Sequence, residues 1–292
     1  LGPGEHATIA RDSVMAVSMI ILGAVIGLCL LVAGLRHGSL AHNRTGVSTY
    51  LSLIIVLAAL AFALPALIGT NGSYQTWQEI PIIVLTIGIY AFFLYRQMGA
   101  QAADFHEVDP RLTKPAEVAP ESASTTVATT QKQGIVAIIS AHRAEIIVRL
   151  ALLITTVTPI VLLSHDMASL LDDGLGRLGA PVALSGVVIA LIVFLPETIT
   201  SIRAAWQGEI QRVSNLCHGA QVSTVGLTIP TVLLIGLLTD QPIVLAESPA
   251  NLLLFAVTLL LSVTTFAAKK VPAVPGAAHL VVFAIFGITL FS

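Results

Sequence analysis

Residues Val187–Pro230 read VVIALIVFLPETITSIRAAWQGEIQRVSNLCHGAQVSTVGLTIP. Two long apolar segments flank a short charged turn that holds Arg203, Glu209 and Arg212. The first segment carries Glu197 directly after Pro196, deep in its apolar run. The second carries Ser223 and Thr224 near its middle. An ionisable side chain at the centre of a membrane helix costs about 2.5–3.5 kcal/mol on insertion scales, so such residues mark ion or proton paths.

The whole chain has the composition this stretch suggests. Its 292 residues are 55% hydrophobic and 10% charged, against about 25% charged in soluble domains. The apolar runs are too long and continuous for barrel strands, which places the chain among all-α integral membrane proteins. A net charge of −2 provides no basic face for nucleic acid. Cys29 and Cys217 both fall in apolar runs, where they read as packing residues rather than a disulfide or metal ligands. The sequence opens on leucine with a short polar stretch, Leu1–Asp12, as expected of a chain whose start is missing.

About eight spans of roughly 20 residues can be drawn: Ser13–Leu35, Val47–Ile68, Ile80–Tyr95, Glu145–Leu163, Val182–Ile202, Val213–Leu238, Ala250–Ala268 and Ala277–Phe291. Between the third and fourth lies Gln97–Gly134, rich in Ala, Thr, Pro and acidic residues, which reads as a flexible acidic linker. The chain thus divides into 1–96, a linker over 97–134, and 135–292.

The connections alternate in charge. Arg36 and Arg44 mark the first, Arg96, Arg111, Lys114, Lys132 and Arg143 the third, Arg203 and Arg212 the fifth, and Lys269 and Lys270 the seventh. The second, fourth and sixth are acidic, with Glu79, then Asp166, Asp172 and Asp173, then Asp240 and Glu247. The positive-inside rule makes the odd-numbered connections cytoplasmic, so the long linker lies inside the cell and the C-terminus outside. The fourth connection's acids could concentrate cations at an outer mouth, although an outer surface free of bases explains them more simply.

Of the 16 carboxylates, Glu197 alone lies deep in an apolar run, and no Lys or Arg lies at that depth to pair with it. Pro196 sharpens the reading, because proline lacks an N–H and clashes with the carbonyl four residues back, here that of Ile192. It also pushes Leu195 from helical dihedrals. Secondary transporters use such broken helices to coordinate cations near the bilayer midplane. Thr198, Thr200 and Ser201 add hydroxyls, giving an oxygen-rich site suited to Na⁺, K⁺ or Ca²⁺. The next span offers Gln221, Ser223 and Thr224 at comparable depth, then Thr228 and Pro230, which frees the Gly226 carbonyl. Small polar residues at a helix contact are the alternative account of that set, but at least one of Gln221, Ser223 and Thr224 is expected to face the ion.

Other polar residues read more plainly. His218 is an interfacial histidine before it is a proton relay. Glu145 and Arg149 form a local i, i+4 pair, and Ser18, Gly23 and Gly27 serve close helix packing. Motifs for zinc proteases, serine hydrolases and phosphate-binding loops do not occur, so an enzyme is not expected and no cofactor is implied.

The stretch LPETITSIRAAWQGEIQRVSNLCHGAQVSTVGLTIPTVLLIGL resembles the second acidic repeat of cation/proton antiporters in the calcium/cation antiporter superfamily. It is nearest to the bacterial ChaA-type sodium (potassium, calcium)/proton antiporters. ARDSVMAVSMIILGAVIGLCLLVAGLRH is similar to the latter half of the first repeat, with AGLRH in place of a closing GGLR. The resemblance implies two inverted five-helix repeats of the sodium/calcium-exchanger type around an acidic cytoplasmic loop, in an inner cell membrane. The chain would then carry three helices of the first repeat and five of the second, lacking two that include the partner carboxylate. It also implies that Glu197 binds cation and proton in alternation. Calcium exchangers of the family follow this glutamate with histidine and carry a polar pair where this chain has Ile20 and Ile21; Thr198 and these isoleucines favour the broader ChaA-type reading.

The expected function is therefore exchange of a cation for protons by alternating access, with Glu197, Pro196, Thr198, Gln221, Ser223 and Thr224 at the site and Glu197 as the cation ligand. A channel-like cation pathway would call for continuous polarity over several spans, whereas here polarity is concentrated in two. A non-transporting fragment of an antiporter is the remaining alternative.

Overall fold

The chain satisfies its backbone polar groups within helices, as a membrane interior demands. A computed structural model describes residues 9–109, 111–112, 143–177 and 182–291. Helix α1 (Ile9–Met19) passes through a π-helical segment, Ile20–Val25, into α2 (Ile26–His37). Strand β1 (Leu40–Ala41) precedes α3 (Arg44–Ala58), whose own π-helical segment, Ala59–Ala63, leads into α4 (Leu64–Ile68). Then come α5 (Thr76–Met98), a 3-10 turn at Ala102–Phe105, and α6 (Arg143–Arg177). Helices α7 (Val182–Val193), α8 (Leu195–Gln207), α9 (Ile210–Thr239) and α10 (Pro249–Ala267) follow. Strand β2 (Lys270–Val271) and α11 (Ala273–Thr289) complete the described chain.

Among the described residues, five helical spans are long and apolar enough to cross a membrane: Arg11–His37, Arg44–Ile68, Thr76–Met98, Ile210–Thr239 and Pro249–Ala267. The bent pair Val187–Val193 and Leu195–Gln207 is apolar enough to make a sixth when taken as one span, and α11 is apolar but only 17 residues long. The protein is a mostly helical, multi-pass membrane protein. The expected span Glu145–Leu163 is part of a longer helix: α6 has 35 residues and runs through the stretch read as the fourth connection. The side chains of Asp166, Asp172 and Asp173, and the expected linker beyond Leu112, lie outside the described residues.

Two units make up the chain, Leu1–Lys114 with Gly186–Ser292, and Pro115–Ser185. In the second unit, Arg149 pairs with Glu145 one helical turn away, as expected. The hydroxyls of Thr155, Thr156 and Thr158 donate to carbonyls of the preceding turn, which hides their polarity within α6.

In the first unit, Arg11–His37 is the most enclosed span. It packs closely on α11, while α9 packs on α5, α3 and α8. Where apolar lipid removes any hydrophobic gain from association, close backbone approach does the work. A Cβ on Gly276 would stand 2.6 Å from both the Gly27 carbonyl and the Leu31 amide, so only glycine fits that crossing. Large apolar side chains such as Leu67, Leu85, Phe92 and Ile288 point outward, the face a bilayer covers.

The connections gather at two ends. At one, β1 pairs antiparallel with β2, Leu40 opposite Val271 and Ala41 opposite Lys270. His37 Nε2 meets the Trp206 carbonyl at 2.8 Å, and the Arg36 guanidinium lies 4.1 Å over the Trp206 ring. The basic first, fifth and seventh connections thus share one end. At the other, Ser73 bridges Thr70 and Val244, and Glu247 donates its amide to the Phe62 carbonyl at 3.3 Å. The second and sixth connections meet there.

The start of the expected flexible linker is folded against the basic end. Asn215 Nδ2 donates to the Phe105 carbonyl at 2.7 Å, and the Phe105 ring packs on Tyr50 at 5.0 Å. The buried Asp109 carboxylate accepts from Arg111 at 2.6 Å, and Arg111 donates to the His37 carbonyl at 3.2 Å.

Gly276→Ala should destabilise the protein by about 1–3 kcal/mol through overpacking, read as a lower melting temperature in detergent; an unchanged melt would contradict the tight α2–α11 crossing. The Arg111 side chain holds the Asp109 carboxyl down at about 2. A depressed carboxyl contributes stability that is complete above about pH 4 and lost as pH falls through about 2. Asp109→Asn should speed proteolysis of the 101–112 segment about fivefold at pH 7, the effect of losing about 1 kcal/mol from a half-exposed ionic hydrogen bond. In the wild type, pepsin should cut there readily at pH 2 and poorly at pH 4.

Candidate functional site

Helix α7 ends at Val193 and α8 starts at Leu195, and the axes of Val187–Val193 and Leu195–Gln207 differ by 59°. The join is Phe194, at φ −89° and ψ 2°. Its amide donates to the Ala190 carbonyl at 3.0 Å. Its carbonyl accepts twice from Thr198, from the amide at 3.0 Å and from Oγ1 at 2.8 Å. Pro196 therefore lies in the first turn of α8 rather than inside a kinked helix. In a first turn the missing N–H costs nothing, and the ring's fixed φ suits a helix start.

Glu197 occupies that same first turn, at the end of a helix where a negative charge is best accommodated. It is half-buried, and its Oε2 is buried without a hydrogen-bond partner. Thr200 Oγ1 returns to the Pro196 carbonyl at 2.9 Å. Ser201 is fully buried and accepts a long contact from Cys217 Sγ at 3.5 Å, which ties α8 to α9.

On α9, Gln211, Ser214, His218 and Gln221 recur at helical spacing and are all buried. Gln211 accepts from the Asn43 amide at 2.7 Å and donates to Asn215 at 3.0 Å. Gln221 Nε2 donates to Ser18 Oγ at 2.7 Å, and Ser18 donates on to the Val14 carbonyl at 2.6 Å. Gln221 Oε1 has no partner. Ser223 is half-buried and bonds back to the Gly219 and Ala220 carbonyls, both at 3.0 Å, and Thr224 is half-buried beside it. α9 continues unbroken through Pro230, with Tyr90 of α5 packed against Gly226.

Of the residues expected at the site, Pro196, Glu197 and Thr198 share the break. Gln221 joins Ser18, which the sequence had suggested only for packing. Among the described residues, no hydrogen bond links Glu197 to Gln221, Ser223 or Thr224. Besides Asp109, two carboxylates read as loop residues are buried: Glu79 in the first turn of α5, and Glu247 before α10. Burial pushes the Glu247 carboxyl up, opposed by bonds from Asn251 and the Ser248 amide and by Arg11 at 3.6 Å. His42, which reads in sequence only as a polar residue of the first connection, and His279, signalled only as a polar residue in an apolar run, are both buried.

The family model for sodium/calcium exchanger proteins matches residues 3–99 and 124–292. A putative ionic transporter, y4hA, from Sinorhizobium fredii is 30% identical over 288 residues, covering 98% of this chain and 72% of its own length. The sodium-potassium/proton antiporter ChaA from Escherichia coli is 26% identical over 297 aligned positions, covering 100% of this chain and 75% of its own length. Among solved structures, native YfkE superposes with a TM-score of 0.62 at 17% identity, over 98% of this chain and 76% of that one. Selenium-substituted YfkE, described as a Ca²⁺/H⁺ antiporter protein, gives a TM-score of 0.65 at 16% identity, over 99% and 78%. These two likenesses establish the fold.

The Gln221–Ser18 bond should appear as coupling in a double-mutant cycle of Gln221→Ala and Ser18→Ala, at about 0.6–1.7 kcal/mol, the span measured for polar contacts between membrane helices. Unfolding in mixed micelles measures it, and strictly additive effects would show that the pair contributes nothing to stability.

Proposed function

This chain belongs to the sodium/calcium exchanger protein family, and we propose that it is a secondary active transporter exchanging Na⁺, K⁺ or Ca²⁺ for protons at Glu197. The observation that carries the proposal is a carboxylate with a buried, unpartnered oxygen at a 59° break between apolar helices. Two relatives support the pairing of cation with proton, since ChaA is a sodium-potassium/proton antiporter and YfkE a Ca²⁺/H⁺ antiporter by name.

A buried carboxylate must be neutralised before it moves through hydrocarbon. A proton does this by bonding to one carboxyl oxygen; a hard cation does it by sharing the oxygens with nearby hydroxyls and carbonyls. The two cannot occupy Glu197 together, so each displaces the other. Alternating access then converts competition into exchange. Thr198, Gln221, Ser223 and Thr224 are the oxygen donors proposed beside it, and Pro196 fixes where α8 begins. The Thr198 hydroxyl keeps its lone pairs free while donating to Phe194, so it can still accept a cation.

The proposed arrangement is two inverted repeats, over 1–96 and 135–292, joined by a cytoplasmic linker over 97–134. Gathering of the basic connections around β1 and β2 supports a cytoplasmic assignment for that end, with the C-terminus outside the inner membrane.

Purified protein in proteoliposomes with an internal pH dye should acidify or alkalinise when a Na⁺, K⁺ or Ca²⁺ gradient is imposed. Glu197→Gln should abolish this for every cation, a loss of about 10²-fold or more if the carboxylate is the shared site. Exchange that survives the substitution would overturn the assignment.

A further inference from the structure

Away from the α7–α8 break, three buried histidines lie in one part of the bundle. His42 follows β1, His218 is in the third turn of α9, and His279 is on α11. Phe266 of α10 connects the first two. Its ring meets the His42 ring edge-on at 5.3 Å and the His218 ring edge-on at 5.1 Å, and its carbonyl is 3.0 Å from His42 Nε2. His218 Nδ1 is 2.9 Å from Ser214 Oγ. His279 is within electrostatic reach of His218 and lies near the Leu22 carbonyl, in the π-helical segment just beyond Ser18.

Packing alone does not account for these residues. His42 Nδ1, His218 Nε2 and both ring nitrogens of His279 are buried without hydrogen-bond partners. Ser262 Oγ and Thr265 Oγ1 of α10 share that condition. Buried polar atoms almost always find protein or ordered water as a partner, and a phenylalanine or leucine would fill the same space without the desolvation cost. Unpaired nitrogens on all three imidazoles suit a hydrated proton path, in which water would be their partner.

We propose that His42, His218 and His279 form a proton relay from the basic end of the bundle to the interior beside Ser18 and Gln221. The proposal rests on the exchange reading above and names the route that its proton takes. An imidazole binds a proton at one ring nitrogen and releases the one held at the other, then resets by exchanging tautomers. Each transfer moves one proton with no redox change. The groups named around His218 carry no fixed charge. Tyr50 of α3 stacks on its ring at 6.2 Å, and the Tyr50 hydroxyl accepts from Gln97 of α5 at 2.7 Å. α10 presents the neutral Phe266, α11 presents His279, and the first connection presents His42 with Arg44 acting on it. On its own helix His218 has Ser214, and α8 meets α9 through neutral Ser201. Among the described residues no carboxylate pairs with these rings, so none is locked in a permanent ion pair.

The test uses the full chain in proteoliposomes, with K⁺ as the imposed gradient and Glu197→Gln as the reference. His218→Gln keeps an amide that can reach Ser214. It should lower the maximal rate of cation-driven proton movement about tenfold or more, the low end for removing a proton-transfer group. The KM for K⁺ should stay within about twofold, and the rate should lose its dependence on pH at the basic end. His279→Gln, on a different helix, should move both readouts in the same direction, and it decides the matter if His218→Gln fails to fold. A wild type that exchanges, with variants matching its rate and pH profile, overturns the relay and leaves Glu197 untouched. A parallel rise in KM with an unchanged pH profile also overturns it, since that marks a structural role. A wild type without cation-dependent proton movement overturns the exchange reading itself, and the relay with it.

Discussion

The Phe194 carbonyl accepts two hydrogen bonds from Thr198, and the geometry of the candidate site depends on them. In hydrocarbon a backbone group left unpaired costs several kcal/mol, so a helix can break in a membrane only where something closes the gap. Here the chain stops at Phe194 and restarts at Leu195, and Thr198 closes the gap with both its amide and its hydroxyl. Pro196 can then sit at the start of α8 without penalty. The carboxylate that follows it stands at the amide-rich end of a helix instead of among the saturated bonds of a helix interior. Moved one turn further along, Glu197 would lose that position.

The remainder of the first unit keeps this break in register. Arg11–His37 runs through its centre and is held by backbone proximity to α11, down to the 2.6 Å that leaves no room for a Cβ at Gly276. Such a contact is rigid. The π-helical segments at Ile20–Val25 and Ala59–Ala63 interrupt the two spans that border α9 and α10. A π-helical turn changes which carbonyls are paired, which is why such turns recur at functional sites. The first begins two residues after Ser18, which is bonded to Gln221, and contains Leu22, whose carbonyl is close to His279.

The sequence makes the class of this protein plain, because a bilayer imposes length and polarity on each segment separately. Most spans could be drawn from apolar runs alone, and Glu197 stood out because charge in such a run is expensive. What could not be read depends on neighbours. Ser18 and Gln221 are 203 positions apart, and nothing local in either says that they meet. Glu79 and Glu247 looked like loop carboxylates, yet α5 begins early enough to tuck one away, and the sixth connection folds beneath Phe62 to enclose the other. Pro196 was legible as a break but not as a helix start, since the two differ only in where the preceding helix stops. The linker composition suggested disorder throughout, whereas Phe105 and Asp109 anchor its first part through contacts with α3, α9 and the loop after α2.

Magnitudes favour exchange over passive conduction. A channel needs polar groups lining a continuous route, so that an ion trades water for protein without a barrier. In this bundle the polar groups of α9 are bound in pairs, Gln211 with Asn215, Ser214 with His218, and Gln221 with Ser18. Each pair would have to be broken to line a route, and apolar residues such as Val213, Val222 and Val225 are buried among them. A bare carboxylate carried through such an interior costs about 2.5–3.5 kcal/mol even on the lenient insertion scales, and one elementary charge crossing 100 mV adds about 2.3 kcal/mol. Both terms vanish for a Glu197 neutralised by a monovalent cation or a proton. In the proposed exchange the empty, ionised form is the one that stays behind, and that asymmetry would couple one ion to the other without any further device.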